Sequence, residues 1–248
     1  MKYRLALAAL IVMAAHAPLP GHAAGEPGIR SQPVRFAKGA TSAQLRGSIK
    51  GDAGVDYEIA ARAGQTLSVT LKASNASNYF NINPPGSDLA MFIGSTQGSA
   101  ATVVLPADGT YVVRVYLMRN AARRNESSNY TLAIGVTGKA LAPLAAAKDA
   151  LIPGTPFHAS AQVACTPAFD PKPQQCDAFV VRRGFDGTAT VEVRGPGSTV
   201  RRILFVAGAP SASDATEPMT HSRDGDRTVV KFGADERYEI PDALVRGG

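Results

Sequence analysis

Tryptophan is absent from the 248 residues, and aromatic residues make up only 6%. A carbohydrate surface built on stacked indole rings is thereby excluded. Cysteine occurs twice and histidine four times. His16 and His22 fall in the N-terminal stretch, which leaves His158 and His221 for the rest of the chain. Neither has the spacing of a metal site or a catalytic triad. Residues 24–138 hold no His and no Cys, so a Ser–His or Cys–His pair cannot be built there. No Walker or dinucleotide glycine motif is present. No second long apolar run follows the N-terminus, which excludes a polytopic helical membrane protein. The expectation is a non-enzymatic chain with no cofactor and no metal.

What is present begins with an address. Lys2 and Arg4 precede an uncharged apolar run from Leu5 to Ala15. Pro18, Pro20 and Gly21 break that run, and Gly21-His22-Ala23 supplies small residues for a signal peptidase. Residues 1–23 therefore read as a secretory signal peptide, cut after Ala23 or Ala24, and the expected location is periplasmic or secreted. Cleavage removes Lys2 and Arg4 and no acid, so the formal charge falls from +6 to +6 − 2 = +4. That is mildly basic and is not a nucleic-acid-binding composition. Cys165 and Cys176 survive cleavage and would meet an oxidising compartment. A disulfide is expected between them, worth about 3 kcal/mol in the chain-entropy model.

Residues 24–32 read as a polar tail. Beyond them, short runs rich in Val, Ile, Thr, Tyr and Phe alternate with Gly, Asp, Asn and Pro. They predict strands over 34–38, 43–49, 56–61, 65–72, 79–82, 90–93, 100–105, 110–117 and 129–136. Val113, Val115 and Leu117 alternate with Val112, Arg114 and Tyr116, the period of a half-buried strand. This density of strands predicts an antiparallel β-sandwich over 24–138. Residues 139–153, rich in Ala and bounded by Pro143 and Pro153, read as a linker. Strands resume over 157–165, 178–183, 189–194, 200–206, 228–232 and 237–240, with a polar loop at 208–220. The fold class expected is all-β: a sandwich followed by a second small all-β domain, 154–248, with one disulfide.

One connection carries unusual charge. After the β segment ending at Met118 come Arg119, Asn120, Arg123 and Arg124, then Glu126 and the strand that holds Tyr130. Arginine offers a planar, permanently charged fork that matches a carboxylate with two bonds. A loop of this kind suits an acidic cleft.

Several motifs carry a resemblance. They are Arg35-Phe36-x-Lys38-Gly39, Gly47-x-Ile49-Lys50-Gly51, Tyr57 with Gly64-Gln65, and Leu105-Pro106-Ala107-x-Gly109-x-Tyr111. Arg114-Val115-x-x-x-Arg119-Asn120-x-Ala122-Arg123, followed by Tyr130, completes the set. Together, over about residues 33–137, they resemble the bacterial periplasmic inhibitors of goose-type (g-type) lysozyme. The strand entry Gly109-Thr110-Tyr111 is shared with the prepeptidase C-terminal type of β-sandwich. The resemblance implies a sandwich that plugs the glycan cleft of the lysozyme, its protein partner. It implies that Arg119 and Arg123 reach the catalytic carboxyl group, with Asn120 and Arg124 beside them. Members of that family carry a Tyr directly after the Gly-x-Ile-Lys-Gly motif, also used in binding. Asp52 stands there in this chain, and a carboxylate facing an acidic cleft would repel, so either the contact is re-made or affinity is weakened. A competing expectation is an envelope- or peptidoglycan-binding sandwich with no inhibitory action. The resemblance assigns no role to residues 154–248.

Overall fold

The computed structural model describes residues 26 and 28–247. The leader read at residues 1–23 lies outside the described residues. The first half forms two sheets from nine strands: β1 (Ile29–Pro33), β2 (Ser42–Lys50), β3 (Gly54–Ala61), β4 (Thr66–Ala73), β5 (Asn78–Asn83), β6 (Phe92–Ile93), β7 (Ala100–Val104), β8 (Gly109–Leu117) and β9 (Ser127–Thr137). Two short helical turns interrupt them, α1 (Gly94–Gln97) and α2 (Arg119–Arg123). One sheet runs β1-β3-β8-β5-β6 and the other β2-β9-β4-β7.

Alternation explains the pairing of the layers. Tyr111, Val113, Val115 and Leu117 of β8 point inward with Val55, Tyr57 and Ile59 of β3. They meet Leu67, Val69 and Leu71 of β4 and Tyr130, Leu132, Ile134 and Val136 of β9. A period of two puts all of these on one face of each sheet. The Tyr111 hydroxyl donates to the carbonyl of Ala107 at 2.9 Å, which pins the turn before β8.

Two expectations need correction. Residues 29–33 are not tail but strand β1, paired in parallel with β3 from Ile29↔Gly54 to Pro33↔Glu58. Residues 34–38 form no strand: Val34 N–H still donates to Glu58 O of β3, but the pairing ends there and the chain turns at Gly39. The sandwich is antiparallel except at that one edge.

The second half forms an eight-stranded antiparallel sheet: β10 (Ala159–Thr166), β11 (Gln174–Arg182), β12 (Ala189–Arg194), β13 (Val200–Val206), β14 (Ala209–Ser213), β15 (Met219–Asp224), β16 (Arg227–Phe232) and β17 (Glu236–Pro241). A last turn, α3 (Asp242–Arg246), closes the described chain. The order is β14-β13-β12-β11-β10-β17-β16-β15. At its centre β10 and β17 share only Cys165↔Tyr238 and Thr166↔Arg237, so the sheet can fold there around its own core. Cys165 and Cys176 form the disulfide between β10 and β11. The polar stretch 208–220 is not a single loop but supplies β14 and the start of β15.

Residues 139–153 contain no helix or strand, only a turn in which Lys148 N–H donates to Ala145 O. The stretch is held on both sides: Leu141 N–H donates to Ala63 O, and Leu144 N–H to Arg182 O. The two halves also touch directly. Thr190 Oγ1 donates to Pro106 O at 2.7 Å, and Arg183 Nη1 reaches both oxygens of Asp108 at 3.2 Å. Ala63, Leu204, Ala212 and Leu141 form a small apolar cluster across the seam.

Candidate partner-binding pole

The register fixes which groups share an end of the sandwich. Asp52 precedes β3 and Arg119 follows β8, while Ala61 pairs with Gly109 at the opposite end. Lys50 pairs with Ser127 at the same end as Arg119. The nine residues of β8 separate the two poles by about 27 Å at ~3.4 Å per residue. The seam with the second half therefore lies at the pole away from the arginines.

Helix α2 is held as a rigid turn. Ala121 and Ala122 are buried and anchor it, and Ala122 N–H donates to Met118 O. Asn120 Oδ1 accepts from Ala121 N–H at 2.8 Å, which fills one donor at the start of the turn. The exit needs a left-handed residue, supplied by Asn125 at φ 55°. Gly51, also left-handed, sits against Asn125, and its N–H donates to Glu126 O. Asn75 Nδ2 donates to Glu126 Oε2 at 2.8 Å, and Arg124 Nε donates to Glu126 Oε1 at 2.6 Å. The Asn75 bond, then the Arg124 bond, hold the Glu126 carboxyl below its ordinary value of 4.5. Three connections, β2–β3, β4–β5 and β8–β9, are thus fastened to one another at this pole.

The four arginines of the segment divide into two kinds. Arg114 is clamped in the sheet: Nε and Nη2 donate to the two oxygens of Asp56 at 2.7 and 2.8 Å, and Nη1 to Glu26 at 2.7 Å. Arg124 is paired with Glu126. Arg119 and Arg123 are exposed and make no ion pair or side-chain hydrogen bond among the described residues. They stand four apart on the same short helix, so they share a face. Asp52 is exposed on the adjoining turn, and it lines a shallow groove with Tyr116, Met118 and Arg119. Arg119, Asn120, Arg123, Arg124 and Asp52 are therefore brought to one pole. Glu126 is visible in the sequence beside the arginines, but nothing there marks it or Asn75 as the braces of the pole. Asn75 leaves a local trace, since its Oδ1 accepts from Ser77 N–H in the turn that Asn-x-Ser favours.

The histidines sit elsewhere. His158 is buried; its Nδ1 accepts from Arg182 N–H at 3.1 Å, so the ring proton is on Nε2, which donates to Leu144 O at 3.0 Å. His221 is exposed on β15. Among the described residues no three His, Cys, Asp or Glu side chains converge as a metal would need. No helix among them is long and apolar enough to cross a membrane.

A rigid β-sandwich that presents unpaired cations on a connection is of the recognition type, in which the scaffold positions a loop for a partner. Comparison with known proteins gives this class a family. No protein-family model matches the sequence. An inhibitor of g-type lysozyme from Escherichia coli (strain K12) is 34% identical over 106 residues, which span 42% of this chain and 78% of that protein. The chain belongs to the family of g-type lysozyme inhibitors. Two solved structures, both described as periplasmic inhibitors of g-type lysozyme, also match. The one from Aeromonas hydrophila is 39% identical, with 44% of this chain and 97% of that one covered and a TM-score of 0.41. The one from Salmonella Typhimurium is 30% identical, with 44% and 98% covered and a TM-score of 0.35.

Proposed function

We propose that this chain is an exported, periplasmic inhibitor of g-type lysozyme, acting by insertion of α2 into the glycan cleft. One observation supports the mechanism: of the four arginines in the segment, the two that the resemblance assigns to the enzyme are the two without a partner among the described residues. Arg119 and Arg123 need give up no internal acid on binding, whereas Arg114 and Arg124 would have to break ion pairs. A glycosidase needs one carboxyl group held protonated as its acid. A guanidinium placed against it favours the ionised form, lowers its pKa and removes the acid, while the turn fills the sugar site. The reading is non-catalytic for this chain itself. The relative's description as an inhibitor supports that, as does the use of both ring nitrogens of His158 in structural bonds.

Asp52 bears on affinity. A carboxylate beside Arg119 lowers the local positive potential that an acidic cleft attracts, so it weakens binding without blocking the pole. The test is lysis of bacterial cell walls by g-type and hen-type lysozymes in the presence of the purified chain. Inhibition of the g-type enzyme at micromolar inhibitor is expected. Undiminished lysis would remove this reading and leave the envelope-binding alternative, which a pulldown on peptidoglycan without lysozyme checks.

A further inference from the structure

A cavity of about 340 Å³ lies at the seam, where three pieces of chain converge. Its floor is the outer face of β11, β12 and β13, with Val181, Thr190, Glu192 and Arg202, and with Arg183 just past the end of β11. One wall is the strap that joins the halves, with Leu144, Leu151 and Phe157. The other wall belongs to the sandwich, with Pro85, Ala107 and Asp108. Its volume falls in the range of small-molecule sites, which favour interfaces between domains.

The walls are held in place. Phe157 packs against Phe179 with the rings tilted by 35° and their centroids 5.0 Å apart, and the Arg194 guanidinium lies 5.5 Å from the Phe157 centroid. Arg183 is fixed by Asp108 and by Thr190 Oγ1, and Arg202 by Glu192 and Asp214. Three prolines, Pro85, Pro143 and Pro156, restrict the backbone around the opening. Such a cavity does not have to be ordered by its ligand.

The polar groups indicate what the ligand carries. Arg183 and Arg202 each spend Nε and Nη1 on partners, and neither Nη2 has one among the described residues. Both side chains are largely buried, with Arg183 2% and Arg202 10% exposed, so an anionic oxygen in the cavity would meet Nη2 groups with little competing water. Burial pulls the Arg183 pKa down despite Asp108, a sign that its charge is under-compensated. An anionic oxygen would compensate it.

We propose that the seam cavity is a binding site for a small amphiphile, an apolar body with one anionic head, seated with its head at Arg183 and Arg202. The site is independent of α2 and of the lysozyme reading.

The test is titration calorimetry of the mature chain with sodium decanoate below its micelle concentration, with decanol and decyltrimethylammonium as controls. One saturable decanoate site per chain is expected, with decanol and the cation at least about tenfold weaker. Leu151→Trp, on the strap, should weaken decanoate by at least about tenfold and leave lysozyme inhibition unchanged. Amide shifts in an NMR titration should fall at Leu151, Phe157 and Val181 and spare 119–123, which keeps the test intact if that variant does not fold. No saturable binding, or shifts confined to other regions, would overturn the site. Equal binding of decanol would overturn the role of the two arginines.

Discussion

The hydroxyls of Tyr57 and Tyr130 hydrogen-bond at 2.8 Å, one from each sheet, inside the core. Their rings meet edge-on, with centroids 6.5 Å apart. Burial, then the bond to Tyr57, raises the Tyr130 phenol well above its ordinary value of 10.0. Each hydroxyl is the partner that makes the other's burial tolerable.

That pairing predicts a non-additive cycle. Tyr57→Phe or Tyr130→Phe alone should cost about 1–3 kcal/mol, since each strands a hydroxyl, and the double variant should cost less than the sum. Urea denaturation of the three variants measures it. Gly47 lies under the same ring: a Cβ there would come within 2.5 Å of Tyr130 Cζ. Gly47→Ala should therefore destabilise by about 1–3 kcal/mol, and Tyr130→Phe, which keeps Cζ, should not rescue it.

The pole should separate stability from inhibition. Arg119→Ala and Arg123→Ala should change unfolding free energy by no more than about 0.5 kcal/mol, because neither side chain has a partner among the described residues. The same changes should cost about 2 kcal/mol or more in affinity for g-type lysozyme if the groups are buried anchors. Asp52→Tyr should tighten binding. Calorimetry with the enzyme reads all three, and unaltered affinity in both arginine variants would refute insertion of α2.

Glu126 gives the pole a pH dependence of defined sign. Its folded pKa lies below the unfolded one, so its contribution is present above the ordinary value of 4.5 and is lost as pH falls through the folded pKa. The carboxyl carbon followed by NMR should titrate below 4.5. Asn75→Ala should move the midpoint upward, and hydrogen exchange of residues 119–126 should quicken at the acid end.

Reduction of Cys165–Cys176 should lower stability by about 3 kcal/mol. Thermal unfolding with and without reductant checks this. Inhibition of lysozyme at room temperature should persist, because the bridge lies in the half away from α2.

Much of this architecture was legible because burial writes a period of two into the strands. Residues 110–117 show it, and β8 forms there. Where a strand buries nothing, the pattern vanishes: β15, Met219–Asp224, is exposed along almost its whole length, and the sequence predicts no strand there. Strand β1 fails for the same reason, being a polar edge that only its partner β3 defines. The candidate arginines were visible as residue types, but not which of them were spent. Asp56 lies 58 residues from Arg114, and no local rule joins them. The seam was invisible for the same cause, since Asp108 and Arg183 are 75 residues apart.

The placement of the second half has a practical outcome. If the chain docks through α2 as proposed, its second half points outward. Whatever the rear holds can be held at the same moment, so a single molecule could anchor a silenced enzyme to something else, and a label attached at the exposed His221 would report on the complex without entering the core.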